Sequence, residues 1–211
     1  MPSDQTKERL TRAAGVIFAR DGFQRAGVRE ICALAGVNLA LVNYHFKNKL
    51  GLYRHTVLAG VRELGVDGAL LVAAEKETPK AAFEAWLSRF LQITLVRRHN
   101  HPYVGSILKH ELREPTEILD EVVAAVMKPM HRHCSQRLAR LTGARASSPD
   151  IKRLATFALS FCANLETSRA VLERLGLKYP HDEKEMAGFA KVVSAFILTG
   201  ALGTAPAKEG R

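Results

Sequence analysis

The chain has 211 residues, enough for one small and one medium domain. Its 31 Lys and Arg against 21 Asp and Glu leave a net charge of +10, which favours polyanions as partners. Three widely spaced cysteines (Cys32, Cys134 and Cys162) form neither a disulfide framework nor a zinc pattern, so a reducing cytoplasmic location is expected.

The opening MPSDQTKERL lacks the apolar centre of a signal peptide. Leu10, Ala13, Ala14, Ile17 and Phe18 recur at helical spacing and predict a first helix stopped at Gly22. Val28, Ile31, Cys32 and Ala35 give a second, short helix one apolar face. Gly36 follows it, where a helix ends most easily in a left-handed conformation. Asn38 stands at the N-cap of a third helix, with Val37 and Val42 at the positions of a hydrophobic staple. Val42 and Phe46, four apart, continue the buried side. Ala40 and Tyr44 then point roughly opposite, with Leu41 and Asn43 on the flanks, and none of these has an evident structural task.

Two short helices joined by a glycine turn, the second carrying surplus side chains, form the arrangement with which a helix-turn-helix addresses the major groove of DNA. Asn43 is the candidate for direct base reading, because its amide can bond an adenine edge with both donor and acceptor. Leu41 and Leu39 suit thymine methyl groups. Asn38 and Ala40, at the start of the same helix, complete its DNA-facing set. Tyr44, His45, Lys47 and Lys49 can reach phosphates, and Arg29 can reach a guanine or the backbone. Residues 1–55 carry nine basic and four acidic side chains, so basic density is concentrated where the motif lies.

Residues 6–55 resemble the N-terminal domain of TetR-type regulators. The likeness rests on Ile31, the Ala35-Gly36-Val37 turn, Tyr44-His45-Phe46, Lys49 and Leu52. Gly27 replaces the usual Ser or Thr cap, Asn38 the serine and Ala40 the glycine. Asn43 stands where a phosphate-contacting tyrosine is common, which implies a different reading of DNA at that position. The resemblance also implies that Arg29, Tyr44, His45 and Lys49 touch DNA.

Beyond the motif, Leu50, Tyr53, Val57, Val61 and Leu64 begin a long helix that ends before Thr78-Pro79. Phe83, Trp86, Leu87, Phe90, Leu91 and Thr94 form a broad apolar stripe on the next. Val104, Ile107, Leu108 and Leu112 mark another, closed by Pro115. The stretch Ile118 to Leu141 reads as helical with a kink at Pro129. Ser148-Pro149 is a cap followed by proline at the first helical position, opening a helix that runs to about Leu175 and stops at Gly176. Asp182 with Glu185 resembles a capping box for the last helix, ending near Gly200, and the tail after Gly203 looks loose. The stretch Val192–Ala207 is interrupted by Ser, Gly and Thr and is too short to span a bilayer, so no membrane partner is expected.

The expected fold is therefore all-α: an N-terminal three-helix DNA-binding domain over residues 1–52, then a larger helical effector-binding and dimerisation domain over 53–211. A single short recognition helix reads too few base pairs for specificity, so a homodimer is expected. The TetR resemblance places its interface on the last two long helices, where Phe157, Phe161, Leu165, Leu172, Phe189, Val193, Phe196 and Ile197 are apolar. The segment His101–Pro129 resembles the C-terminal domain of the CecR-like subgroup, through Arg113-Glu114-Pro115-Thr116 and the Pro129 region. That resemblance implies an unidentified small-molecule effector among the middle helices. Trp86, Phe90, Tyr103, Ile107, His110 and Phe161 are its candidate walls, and Glu111, Arg113 and Asn164 its candidate polar anchors.

No Gly-rich phosphate loop, nucleophile elbow or acid–base pair stands at a recognisable spacing, so no enzyme is expected. His131 and His133, two apart on a helix, point nearly opposite ways. His131 with Cys134 would need further ligands from elsewhere, as would the His99 and His101 pair, and no metal or other cofactor is expected. The function expected is a sequence-specific regulator that binds double-stranded DNA, a ligand-responsive repressor on a palindromic operator. The alternatives are an activator, or a DNA-packaging protein that grips phosphates alone.

Overall fold

The computed structural model describes residues 2–63, 78–97, 102–180 and 182–203. The expected helix end beyond Leu64, His99, His101 and the tail after Gly203 lie outside them. The elements are α1 (Pro2–Arg25), α2 (Val28–Ala35), α3 (Leu39–Phe46), α4 (Lys49–Glu63), α5 (Pro79–Gln92), α6 (Pro102–Arg113), α7 (Ile118–Val122), α8 (Lys128–Thr142), α9 (Pro149–Thr167), α10 (Arg169–Arg174) and α11 (Glu183–Gly203). Every regular element among the described residues is helical, as the sequence periodicity requires. None of these helices is long and apolar enough to cross a membrane.

Packing groups α1–α4, α6 and α7 into one unit. Its core holds Leu10, Ala14, Ile17 and Phe18 from α1, Ile31 from α2, Val42 and Phe46 from α3, and Leu52, Tyr53 and Val57 from α4. Gly22 does not end α1: its φ of 72° and ψ of 177° kink the path, and a last turn continues to Arg25. α6 lies against α1 and α4. A β-carbon at Gly60 would stand 2.5 Å from Val104 Cγ2, so the close approach of α6 to α4 depends on glycine there. The sequence boundary after residue 52 thus falls inside α4, whose Tyr53, Val57 and Val61 are buried in the unit that carries the helix-turn-helix.

Glu111 shows why α6 belongs with this unit. It is 1% exposed, and its carboxylate accepts from Tyr53 Oη at 2.7 Å, Thr116 Oγ1 at 2.9 Å and Thr116 N at 3.2 Å. A buried carboxylate needs such a set of donors to offset its lost hydration. Thr116 Oγ1 also accepts from Ile118 N at 3.2 Å, capping the start of α7.

The second unit contains α5 and α8–α11. Thr78 caps α5 by accepting from Ala81 N at 3.3 Å, ahead of Pro79. Phe83, Trp86, Leu87, Phe90 and Leu91 form its buried face. At the expected kink, Val123–Met127 widens into a π-helical turn just before Pro129, which accommodates the donor that proline lacks. Ser148 Oγ accepts from Ile151 N at 3.3 Å to open α9, and Asp182 Oδ1 accepts from Glu185 N at 2.8 Å to open α11.

The helix expected from Ser148 to Leu175 is broken at Ser168, where φ is −89° and ψ −1°. Thr and Ser hydroxyls compete with helical hydrogen bonding, and two adjacent ones lower the cost of a break. The neighbouring Arg169 donates to the Leu95 carbonyl at 2.8 Å and stands 4.4 Å from the Tyr179 ring centre, which holds α10 in its new direction. Gly176, with φ of 79°, follows the end of α10 as expected.

Candidate nucleic-acid interface

The helix-turn-helix is built by local bonds that its sequence announces. Gly36 adopts φ 62° and ψ 43°, its N–H donating to Ala33 O at 3.1 Å while Val37 N donates to Cys32 O at 3.0 Å. Only glycine takes that left-handed conformation without steric cost. Asn38 Oδ1 accepts from Ala40 N at 3.0 Å, the cap that starts α3. One contact has no local signal. Arg9 Nη2 donates to the carbonyls of Ala35 and, at 3.1 Å, Gly36, so α1 clamps the turn from 26 residues away.

Val42 and Phe46 are buried and anchor α3. Asn38, Leu39, Ala40, Asn43 and Tyr44 are exposed, Tyr44 to 78%. Leu41 and His45 are half-buried, so part of each is taken up by packing. The His45 ring stands 4.9 Å from that of Tyr44 at 81°, an edge-on contact that restrains both. Arg29 on α2 is exposed. The exposed set thus offers one amide for base edges, apolar groups for thymine methyls, and hydroxyl and cationic groups for phosphates.

The two lysines after α3 differ. Lys47 is exposed and holds φ at 70°, a conformation L side chains rarely adopt, with its N–H donating to Asn43 O at 3.0 Å. Lys49 is half-buried: its Nζ donates to Gln24 O at 3.1 Å and sits 4.8 Å from the centre of the Phe23 ring. Burial holds its pKa below the usual lysine value. Lys49 therefore ties α4 to the end of α1, a role that its position in the motif does not disclose. Asn48, missed in the sequence, caps α4 by accepting from Gly51 N at 2.8 Å.

Beside the end of α3, Lys7, His45, Lys47, Arg54, His55 and Arg62 line an open cleft of about 400 Å³ together with Phe46, Gly51 and Leu58. No acid among the described residues lines it, although Arg54 Nε reaches out to Glu121 at 2.7 Å. Burial, then the Lys7 and Arg62 charges, lowers the His55 pKa. Sequence showed this basic excess but not its gathering on one side, which depends on how α1 and α4 pack.

The nine effector candidates fall in two units. Trp86 and Phe90 stack at 5.7 Å within 7° of parallel inside the second unit. Phe161 and Asn164 are exposed there. Tyr103, Ile107, His110, Glu111 and Arg113 belong to the first unit. Glu111 is saturated by Tyr53 and Thr116 as described. The His110 ring contacts Ala19 O at 3.2 Å, and Tyr103 Oη donates to Glu63 at 2.7 Å. Burial, followed by that bond to Glu63, pushes the Tyr103 pKa up to about 12. Ile107 is buried and Arg113 exposed. Three of the polar candidates on α6 therefore hold the fold of the head, and their chemistry is occupied. Of the metal candidates, His131 Nε2 meets Lys152 O at 3.0 Å and Thr156 Oγ1 at 3.1 Å, His133 is half-buried, and Cys134 is buried.

The apolar faces of the last long helices also divide. Phe157, Phe161 and Phe196 are exposed, as is Val192, and the Phe161 and Phe196 rings meet at 5.6 Å. Val193 and Ile197, expected at a dimer interface, are instead buried in the core of their own unit. Leu165, Leu172 and Phe189 are half-buried.

Comparison with known proteins agrees with this geometry. Residues 10–56 match the family of bacterial regulatory proteins, tetR family. Residues 79–201 match the C-terminal domain of the HTH-type transcriptional dual regulator CecR. The chain is 29% identical to YttP of Bacillus subtilis over 122 residues, 58% of each chain, which is less than two thirds of that relative. It is 27% identical to the HTH-type transcriptional dual regulator CecR of Shigella flexneri over 152 residues, 68% of each. A solved transcriptional regulator from Rhodococcus sp. RHA1 shares the fold, with a TM-score of 0.63, 20% identity, and 93% of this chain and 97% of that one covered.

Proposed function

The chain belongs to the TetR family of bacterial regulatory proteins, DNA-binding transcription regulators that are not enzymes, and we propose that it acts as a ligand-responsive repressor that binds a palindromic operator as a homodimer. The observation that carries this reading is α3. Two of its side chains anchor it, while Leu39, Ala40, Asn43 and Tyr44 stay exposed with no packing task. Arg9 and the Gly36 turn hold that helix rigidly to α1 and α2, which suits insertion into the major groove. The Phe157, Phe161, Val192 and Phe196 face supports pairing of two copies. Two recognition helices related by a twofold axis would read the two halves of an inverted repeat.

The description of the CecR domain as belonging to a dual regulator supports activation as a second outcome, decided by where the operator lies. The test is fluorescence anisotropy on a duplex carrying an inverted repeat, with unrelated duplex as competitor. Retention against excess competitor, with modest salt dependence, supports sequence reading. Equal loss to any duplex, with steep salt dependence, would favour binding through phosphates alone.

A further inference from the structure

The second unit holds a positive charge that none of its described residues neutralises. Arg137 on α8 is 8% exposed, and among the described residues it has no ion-pair partner. Its Nη1 reaches only the carbonyl of its own helix at His133, at a long 3.4 Å. Its guanidinium carbon stands 5.6 Å from the centre of the Trp86 ring on α5, an attraction that replaces only part of the lost hydration. Burial first, then the Arg140 charge and more weakly that of Arg89, lower the Arg137 pKa, against an opposing effect of Cys134 that lies between the two arginines in size.

Two orphaned donors belong to this pair: among the described residues, Arg137 Nε and Trp86 Nε1 are buried with no hydrogen-bond partner. Native interiors pair nearly all such groups, so two on neighbouring side chains call for an explanation. Arg Nε and Trp Nε1 can donate and cannot accept, which defines what is missing: an acceptor, and an anionic one. The surroundings are apolar. Trp86 stacks on Phe90 and lies 6.0 Å from Phe83, and Leu138 is fully buried.

We propose that Arg137 and Trp86 recognise the effector, and that the effector is a carboxylate carried on an apolar body. The planar guanidinium fork matches a carboxylate, the indole N–H supplies a further donor, and the aromatic stack receives the apolar part. This assignment rests on the ligand-responsive reading above and names the chemistry of the ligand.

Trp86 is the sole tryptophan of the chain, so its emission reports on this site alone. Octanoate and benzoate are titrated into the full-length protein, with octanamide and benzamide as uncharged counterparts of a chain-like and a flat body. The expected result is a saturable emission change with one of the acids, at least tenfold weaker with its amide. Arg137→Gln is expected to weaken the acid at least tenfold while melting at or above the wild-type temperature, since it removes an unpaired buried charge. Arg137→Lys retains part of the affinity and covers the case in which the glutamine variant does not fold.

The proposal is overturned by no response to either acid, by equal response to acid and amide, or by undiminished binding to Arg137→Gln. A fall in melting temperature in both variants with acid binding unchanged overturns it too, by making Arg137 a structural strut. Release of bound operator DNA, followed in the same titration, separates the two readings. Acid that saturates the Trp86 signal but leaves DNA bound upholds the carboxylate site and removes its effector role. An amide that releases DNA upholds the effector reading and overturns the anionic assignment.

Discussion

Asn43 and Lys47, four residues apart, carry the two roles that the proposed function divides between base reading and phosphate grip. Asn43 is exposed, and its amide has no protein partner among the described residues, so both its donor and acceptor remain for a base edge. Asn43→Ala is expected to remove discrimination of about 1–3 kcal/mol at one base position per half-site, with thermal stability unchanged. Binding to a set of singly substituted operators measures it, and an unaltered preference profile would reject the role. The lysines make a sharper pair. Lys47→Ala should weaken all sequences alike and flatten the plot of log affinity against log salt by roughly 0.9. Lys49→Ala should leave that slope nearly unchanged and lower stability by about 1 kcal/mol, because its ammonium is bonded to Gln24 O and set over Phe23. Equal slopes for the two variants would mean that Lys49 leaves Gln24 to meet phosphate.

At the scale of elements, α4, α6 and α7 are joined through one carboxylate. Glu111→Ala strands Tyr53 Oη and both donors of Thr116, a loss of about 3 kcal/mol readable as a lowered melting temperature. Burial and then the bond to Glu111 raise the Tyr53 pKa. An unfolded tyrosine ionises near 10 while the folded one keeps its proton, so the unfolded state releases protons first. Stability is then complete below about pH 10 and falls above it, and Tyr53→Phe should remove that part of the alkaline slope in melts. These elements also show what a sequence can and cannot tell. Most local caps were legible: Gly36, Asn38, Ser148-Pro149 and Asp182 each act within a few residues, whereas the Asn48 cap was missed and Gly22 only kinks its helix. The Ser168 break was not legible, since it depends on Arg169 reaching Leu95 from 74 positions away. The bonds of Glu111 to Tyr53 and Arg9 to Ala35 were hidden for the same reason, and so was the packing of α6 against α1 and α4.

For the molecule as a whole, the proposed function requires two copies to read one site. α9 and α11 carry both core and exposed apolar residues on neighbouring faces, and helical periodicity alone cannot say which face the chain itself covers. Packing separates them: Val193 and Ile197 are covered by their own unit, whereas Phe157, Val192 and Phe196 are not. Phe196→Glu is accordingly expected to give a folded monomer by sedimentation equilibrium, with operator affinity reduced at least tenfold. A dimer of undiminished stability would move the interface elsewhere. The recognition helix itself was legible almost residue by residue because its anchors, cap and turn are local, while the basic cleft and the buried Arg137 required the tertiary fold. The most direct test of the account is selection of binding sites from random duplex DNA with the purified protein. It predicts an inverted repeat whose half-sites lie about one helical turn apart or slightly more. Recovery of duplexes that share no sequence pattern would contradict it.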